Sequence, residues 1–386
     1  MAKNVLETPS VGPEQIENLF EDAYIGLRKF FLLKYCLDYN VFGLLEKPKT
    51  FEEIASWYIK QDFKENDNLL ESILDALVQF GLIKRYNRSY DSNIIYYETS
   101  EIAKIYLNQE SEFSNMGSLI RYHKNTRFIE KWLNLDKTLK SGELKTKKGS
   151  SSPEAVKRMA IDCRTGELKS TIDYLKGFED IKNAKSILDV AGGHGLYGIA
   201  LSYLNEDSKC KVFDLPKICE ETKKYIEEYG SERVSIIPGN YFKNNFVDTL
   251  DDSNPEGYDL IFTSNSPDCK TPEVLDKICE ATALNGIFAA KQIFPENTSK
   301  KYATRKAFDN MDWNMFSFAG AKKGKVCHTL KNSLNLDGYI THLEEKGFEI
   351  VDIFSLEEKK SLKDINNYHN NIKKGHLIVI AKKIRN

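Results

Sequence analysis

Residues 186–203 read Ser186-Ile187-Leu188-Asp189-Val190-Ala191-Gly192-Gly193-His194-Gly195-Leu196-Tyr197-Gly198-Ile199-Ala200-Leu201-Ser202-Tyr203, and the fold follows from them. A short apolar run (Ile187, Leu188, Val190) ends in small residues and opens into an amphipathic stretch. The pattern describes a buried strand, a tight glycine turn and a helix N-terminus. Such a turn brings backbone N–H groups and the positive end of a helix against a ligand. Downstream, Lys211-Val212-Phe213-Asp214-Leu215-Pro216 reads as a second strand ending in an acid. A carboxylate at that place accepts both hydroxyls of a ribose. The two segments together point to an adenosine-containing cofactor.

Gly193-His194-Gly195-Leu196-Tyr197-Gly198 matches the dinucleotide string G-x-G-x-x-G, which alone is weak because chance matches are common. The surroundings point elsewhere: Asp189 lies inside the first strand, and Asp214 is followed by Leu215-Pro216. Residues 187–195 and 212–216 resemble the S-adenosyl-L-methionine (AdoMet) site of class I methyltransferases. They are most similar to the plant and microbial small-molecule O-methyltransferases of the caffeate and hydroxyindole type, which carry an N-terminal winged-helix dimerisation domain. Gly239-Asn240-Tyr241-Phe242, Tyr258-Asp259-Leu260-Ile261-Phe262 and Leu284-Asn285-Gly286 follow in that family's order. The resemblance spans nearly the whole chain, although only the strand–turn–helix is specific. It implies an α/β fold: a Rossmann-like class I methyltransferase domain, with a parallel sheet and an antiparallel last strand, after a helix-rich winged-helix dimerisation domain. The expected boundaries are 1–110 for the dimerisation domain, 111–175 for a helical connector contributing to the substrate pocket, and 176–386 for the AdoMet-binding domain.

Length and charge agree with this reading. The 386 residues suffice for two domains with real cores, and a net charge of −2 gives no reason to expect nucleic acid or an anionic membrane. No apolar run approaches the roughly 20 residues of a membrane helix, and residues 1–10 lack the apolar core of a signal peptide. Seven cysteines form no C-x-x-C pair and no metal spacing, so they read as reduced thiols in a cytoplasmic protein without a metal.

In the first domain, apolar residues at helical spacing (Ile16, Leu19, Phe20, Ala23, Leu27, Phe30, Phe31) are too many for one exposed face. In the resembling family this region interlocks two subunits, which implies a homodimer. Thr50 and Glu53 are spaced as a capping box, 67–80 reads as a helix stopped by Gly81, and 82–86 with 94–98 read as the strands of a wing. A winged helix usually suggests DNA. Here the would-be recognition helix carries Asp67, Glu71 and Asp75 and no Arg or Lys over 66–75, whereas a helix entering a phosphate-lined groove should be basic. A structural, dimer-forming role is preferred. From Val234 onward strands and helices alternate, which predicts a mostly parallel sheet; 348–354 and 376–381 read as a closing strand pair.

Candidate cofactor residues follow. Gly192, Gly193 and Gly195 let the backbone approach the ligand, and Ala191 replaces a glycine common in the family. Asp189 orients the turn and the ligand's amino group; Asp214 is the ribose acid. Asn240 and Tyr241 match the family's adenine-contacting pair, with Asn240 standing where an acid is usual. The alternatives are a loop cap for Asn240 and a core aromatic for Tyr241. Ser264 matches a lysine that commonly closes this site.

The reaction centre departs from the family. Its members place a His-Asp pair after the strand 258–262, the His taking the acceptor's proton. A phenol, with a pKa of about 10, benefits from that base. Matching puts Asp268 and Cys269 in those places, Lys291 where an acid follows the next strand, and Ser333 where a second supporting acid stands. Asp268 is therefore a candidate base, though a carboxylate suits a phenol poorly unless burial raises it. His328 is a candidate base on a loop bordering the acceptor pocket, and Lys291 a candidate partner for a substrate carboxylate. His194 packs beside the ligand. His123, Met159 and Cys163 are candidate acceptor-lining residues.

The leading expectation is methyl transfer from AdoMet to a small aromatic or cyclic acceptor at O, N or C, resting chiefly on orientation. The alternatives are an AdoMet-binding enzyme that does not methylate (a hydroxylase, decarboxylase or cyclase), a ligand sensor, an NAD-type oxidoreductase, or a DNA-binding regulator.

Overall fold

The computed structural model describes residues 10–87, 93–114, 126–141, 153–294, 303–315, 323–356, 358–361 and 376–385. The chain divides into two units, Met1–Phe128 and Ile129–Asn386. Each has its own core.

The first unit opens with the helix Glu14–Asp38, of which only Cys36 and Leu37 are buried. Ile16, Leu19, Phe20, Tyr24, Leu27 and Phe31 are exposed. After it come β1 (Lys49–Thr50), the helices Phe51–Lys60 and Asp67–Gln79, and a hairpin of β2 (Ile83–Asn87) and β3 (Ile95–Thr99). The three strands pair in the order β1-β3-β2. The capping box forms: Thr50 Oγ1 accepts from the Glu53 N–H at 3.3 Å, and Glu53 Oε2 accepts from the Thr50 N–H at 2.8 Å. Gly81, at φ 67°, follows the end of the helix Asp67–Gln79 and lets the chain reverse into β2. Ile54, Leu74, Leu77 and Ile83 close the core under Phe42 and Leu45.

The second unit is an eight-stranded sheet of β4 (Ser186–Val190), β5 (Lys209–Asp214), β6 (Val234–Pro238), β7 (Tyr258–Ser264), β8 (Thr282–Ile293), β9 (Phe348–Ser355), β10 (Lys360–Ser361) and β11 (His376–Lys383). The order is β10-β9-β11-β8-β7-β4-β5-β6. β4 to β8 are mutually parallel, and β11 runs antiparallel between β8 and β9. The expected α/β class with its antiparallel last strand is what the chain forms. β8 starts at Thr282, with a register shift against β7 between Tyr258 and Leu260. The central strands are buried on both faces, as the apolar runs of a parallel sheet require. One core cluster packs Val190, Cys269, Phe288 and Tyr339, and the other Cys163, Tyr197, Phe262 and Ile378. Among the described residues no helix is long and apolar enough to cross a membrane.

Candidate functional site

The carboxyl ends of parallel strands form the edge at which α/β sheets bind ligands. Here that edge collects most of the expected residues. β4 ends at Val190, and the turn after it needs unusual backbone: Ala191, Gly193 and Gly195 have φ of 57°, 58° and 74°. Gly192 is held by space, since a Cβ there would lie 2.6 Å from Val212 Cγ1 and 2.7 Å from the Asp189 carboxylate. A Cβ on Gly193 would meet nothing within 4 Å, so the outer side of the turn is open. Among the described residues the N–H groups of Gly192 and His194 have no acceptor. The helix Leu196–Ser202 starts directly after the turn.

Two acids brace the turn from beneath. Asp189 Oδ2 accepts from the Gly198 N–H at 3.1 Å, while the buried Oδ1 has no partner. Burial pushes this carboxyl up to about 8, with the Asp214 charge adding to the rise. Asp214, the last residue of β5, accepts from the N–H groups of Gly193 (2.9 Å) and Leu215 (2.7 Å). Burial pushes it up to about 6 against those two hydrogen bonds, and Asp268 adds a smaller upward push. A carboxylate offers about four lone-pair sites, so two remain for ribose hydroxyls. The open turn, the orphaned Asp189 oxygen and the half-used Asp214 fit an adenosine cofactor with a cationic end.

The other expected residues fall in three groups. The first is joined to this edge. Tyr241 donates its hydroxyl to Asp268 Oδ2 at 2.7 Å, which joins the expected adenine contact to the expected base. Asp268 is buried, and that burial raises its pKa although the Tyr241 hydrogen bond opposes the rise. Cys269 beside it is fully buried, its thiol pushed up to about 12 by desolvation, so it supplies no acid for a base. Ser264, at the end of β7, accepts from Lys291 at 3.2 Å.

The second group is turned to other uses. Asn240 Oδ1 caps its own loop by accepting from the Phe242 N–H at 2.9 Å. Lys291 was expected to meet a substrate carboxylate. It is instead fully buried and paired with Glu167 of the chain itself. Cys163 was expected at the acceptor wall, but it packs in the core with Leu175, Tyr197 and Phe262, its Sγ 3.3 Å from the Ala160 carbonyl. Met159, one turn earlier, is 46% exposed. His194 is buried, accepts from the Leu196 N–H through Nδ1 at 3.1 Å, and is pushed down to about 4 by burial and by the Lys291 charge. His328 takes φ 60° and lies with its ring 5.9 Å from that of Trp313. Ser333 Oγ accepts from the Leu330 N–H at 2.8 Å. The third group is one residue: His123 lies outside the described residues.

Three residues of the edge escaped the sequence reading. Glu167 accepts from Lys291 and, at 3.2 Å, from the Tyr197 hydroxyl. Lys270 is fully buried and donates to the carbonyls of Ile293 (2.6 Å) and His328 (2.8 Å), which ties the segment around 328 to the sheet. His376, the first residue of β11, meets Asn265 Oδ1 through Nε2 at 2.8 Å. Only Glu167 left a signal, in the Gly166 that interrupts an otherwise helical run.

Comparison with known proteins places these observations. A family model described as "O-methyltransferase domain" matches residues 162–252, and one described as "Domain of unknown function (DUF1803)" matches residues 52–125. The chain is 36% identical over 356 residues to "Uncharacterized protein MJ0086" of Methanocaldococcus jannaschii, covering 92% of this chain and 90% of that protein. It is 24% identical over 184 residues to 3-amino-4-hydroxybenzoate 4-O-methyltransferase of Streptomyces cremeus, covering 46% of this chain and 44% of that protein. The solved structure of human N-acetylserotonin methyltransferase, in complex with SAM, superposes with a TM-score of 0.63 at 17% identity, covering 98% of this chain and 99% of that one.

Proposed function

The chain belongs to the class I AdoMet-dependent O-methyltransferase family, and from that premise we propose that it methylates a small aromatic or cyclic acceptor without the family's histidine base. The observation that carries this reading is Asp268, which stands in the base position with its carboxylate engaged by Tyr241. Bound AdoMet supplies an electrophilic methyl group on a sulfonium. The chain supplies the setting: Asp214 receives the ribose hydroxyls, the 191–195 turn receives the methionine end, and Tyr241 packs by the adenine. Asn240 uses one lone pair on its own loop and keeps the other for the adenine amino group. Met159 faces the acceptor. Rate enhancement then comes from proximity and orientation, which convert a bimolecular displacement into a positioned one. The same Asp268 substitution favours the second reading, an AdoMet-binding enzyme on this scaffold that does not methylate.

The first unit, on this reading, is a winged-helix dimerisation domain. The wing residue Arg85 is paired with Asp75 of the would-be recognition helix at 2.6 Å, a use of its charge within the unit rather than on a phosphate backbone. The exposed apolar face of the helix Glu14–Asp38 is the surface we assign to a second copy. Seven cysteines, none in a disulfide, suit a reducing cytoplasmic setting.

The test is transfer of labelled methyl from AdoMet to the small-molecule fraction of a cell extract, followed by mass spectrometry. The reading expects a labelled product, with turnover of Asp268→Asn within about a hundredfold of the unaltered protein. A general base contributes roughly 10²–10⁴. A loss larger than a hundredfold would make Asp268 the base; conversion of AdoMet with no methylated product would favour the second reading.

A further inference from the structure

Glu167 follows Gly166, whose φ of 132° kinks the chain between the helices Pro153–Asp162 and Leu168–Leu175. The carboxylate just after this kink reaches the sheet edge at Lys291 of β8. Its Oε1 receives both Lys291 and the Tyr197 hydroxyl. Among the described residues its Oε2 receives nothing. The exposures decide which charge faces outward: the Glu167 side chain is 38% exposed and that of Lys291 is 0% exposed. The cation is sealed behind the anion.

Through its partners Glu167 is joined to two parts of the site. Tyr197 is in the first turn of the helix after the glycine turn, and Ser264, the other partner of Lys291, ends the strand that leads to Asp268. Burial would raise the Glu167 carboxyl, but Lys291 and His376 more than offset it and hold it below the usual carboxylate range. A carboxylate held ionised is a weak proton acceptor and a good receptor for a cation. Elsewhere on the same sheet edge the Asp268 charge pushes against Asp214. A positive ligand group relieves that repulsion.

We propose that Glu167 Oε2 is the receptor for a primary ammonium group on a bound small molecule, the α-ammonium of AdoMet or an amine of the acceptor. The proposal rests on the AdoMet-binding reading above. Lys291 and Tyr197 act as positioning residues, fixing Oε1 so that Oε2 has one orientation.

Calorimetry on the full chain separates the two sources. S-adenosylhomocysteine (AdoHcy) and its deaminated analogue are titrated into the unaltered protein and Glu167→Gln. Tyramine and p-cresol are then titrated into each AdoHcy-saturated protein. If the cofactor supplies the ammonium, Glu167→Gln weakens AdoHcy at least tenfold and leaves the deaminated analogue unchanged. If the acceptor supplies it, AdoHcy binds both proteins alike, and a preference for tyramine over p-cresol disappears in the variant. Equal AdoHcy binding with no tyramine preference in the unaltered protein overturns the proposal. Failure of the unaltered protein to bind AdoHcy overturns the cofactor reading itself, and this proposal with it. Should Glu167→Gln fold poorly around the unpaired Lys291, the double variant Glu167→Gln, Lys291→Met removes the buried charge with its partner and answers the same question.

Discussion

Asp189 and Asp214 illustrate how burial holds carboxyl groups protonated above their ordinary range. An aspartate in an unfolded chain has a pKa of about 3.9. In the folded chain burial raises Asp189 to about 8 and Asp214 to about 6. The native state therefore binds protons more tightly than the unfolded state between these values. The stabilisation this gives is complete below about pH 4 and is lost as pH rises through each folded pKa. Between pH 5 and 8 the unliganded protein should lose thermal stability, and Asp189→Asn should show a flatter profile over the same range. Melting curves at four pH values check this; parallel profiles would mean that Asp189 is not held protonated. The residues of the turn itself were legible because their constraints are local. Asp189 lies within β4 and Asp214 ends β5, strands that hydrophobic pattern alone locates, and glycine is demanded at 192 by its neighbours' atoms.

At the scale of elements, local chemistry decided most boundaries. Thr50 and Glu53 close a capping box, Asn66 accepts from the Leu69 N–H at 3.1 Å, and Gly81 turns the chain after its helix. Thr50→Ala should cost about 1 kcal/mol, read as a lower denaturant midpoint at unchanged slope. No change would mean that the cap is redundant with the packing of Ile54. What the sequence hid was built by long-range contacts. Lys270 carries a charge of the kind that ordinarily stays in solvent, yet it is buried on carbonyl partners 23 and 58 positions away. His376 reaches a partner 111 positions away. Glu167 was obscured for a different reason: Gly166 breaks the helical run just before it, so the 3.6-residue pattern does not carry across the kink.

At the scale of the whole molecule, the alternation of strands and helices gave the class of the second unit and its closing strand, because each element's period is set by its own burial. The proposed dimer rests on a different feature, the helix Glu14–Asp38 with seven large apolar side chains in solvent. Faces of that kind mark interaction sites. The double variant Leu19→Glu, Phe20→Glu should shift the protein from dimer to monomer in light scattering at micromolar concentration; a monomer before substitution would remove the dimer from the account. The central claim is narrower and more direct: the edge formed by residues 189–195 and Asp214 is an AdoMet site. Titration calorimetry of the unaltered protein and Asp214→Ala with AdoHcy and with NAD tests it. The account predicts AdoHcy binding near one per chain, at least tenfold weaker in Asp214→Ala, and no NAD binding. NAD binding, or AdoHcy binding indifferent to Asp214, would contradict it.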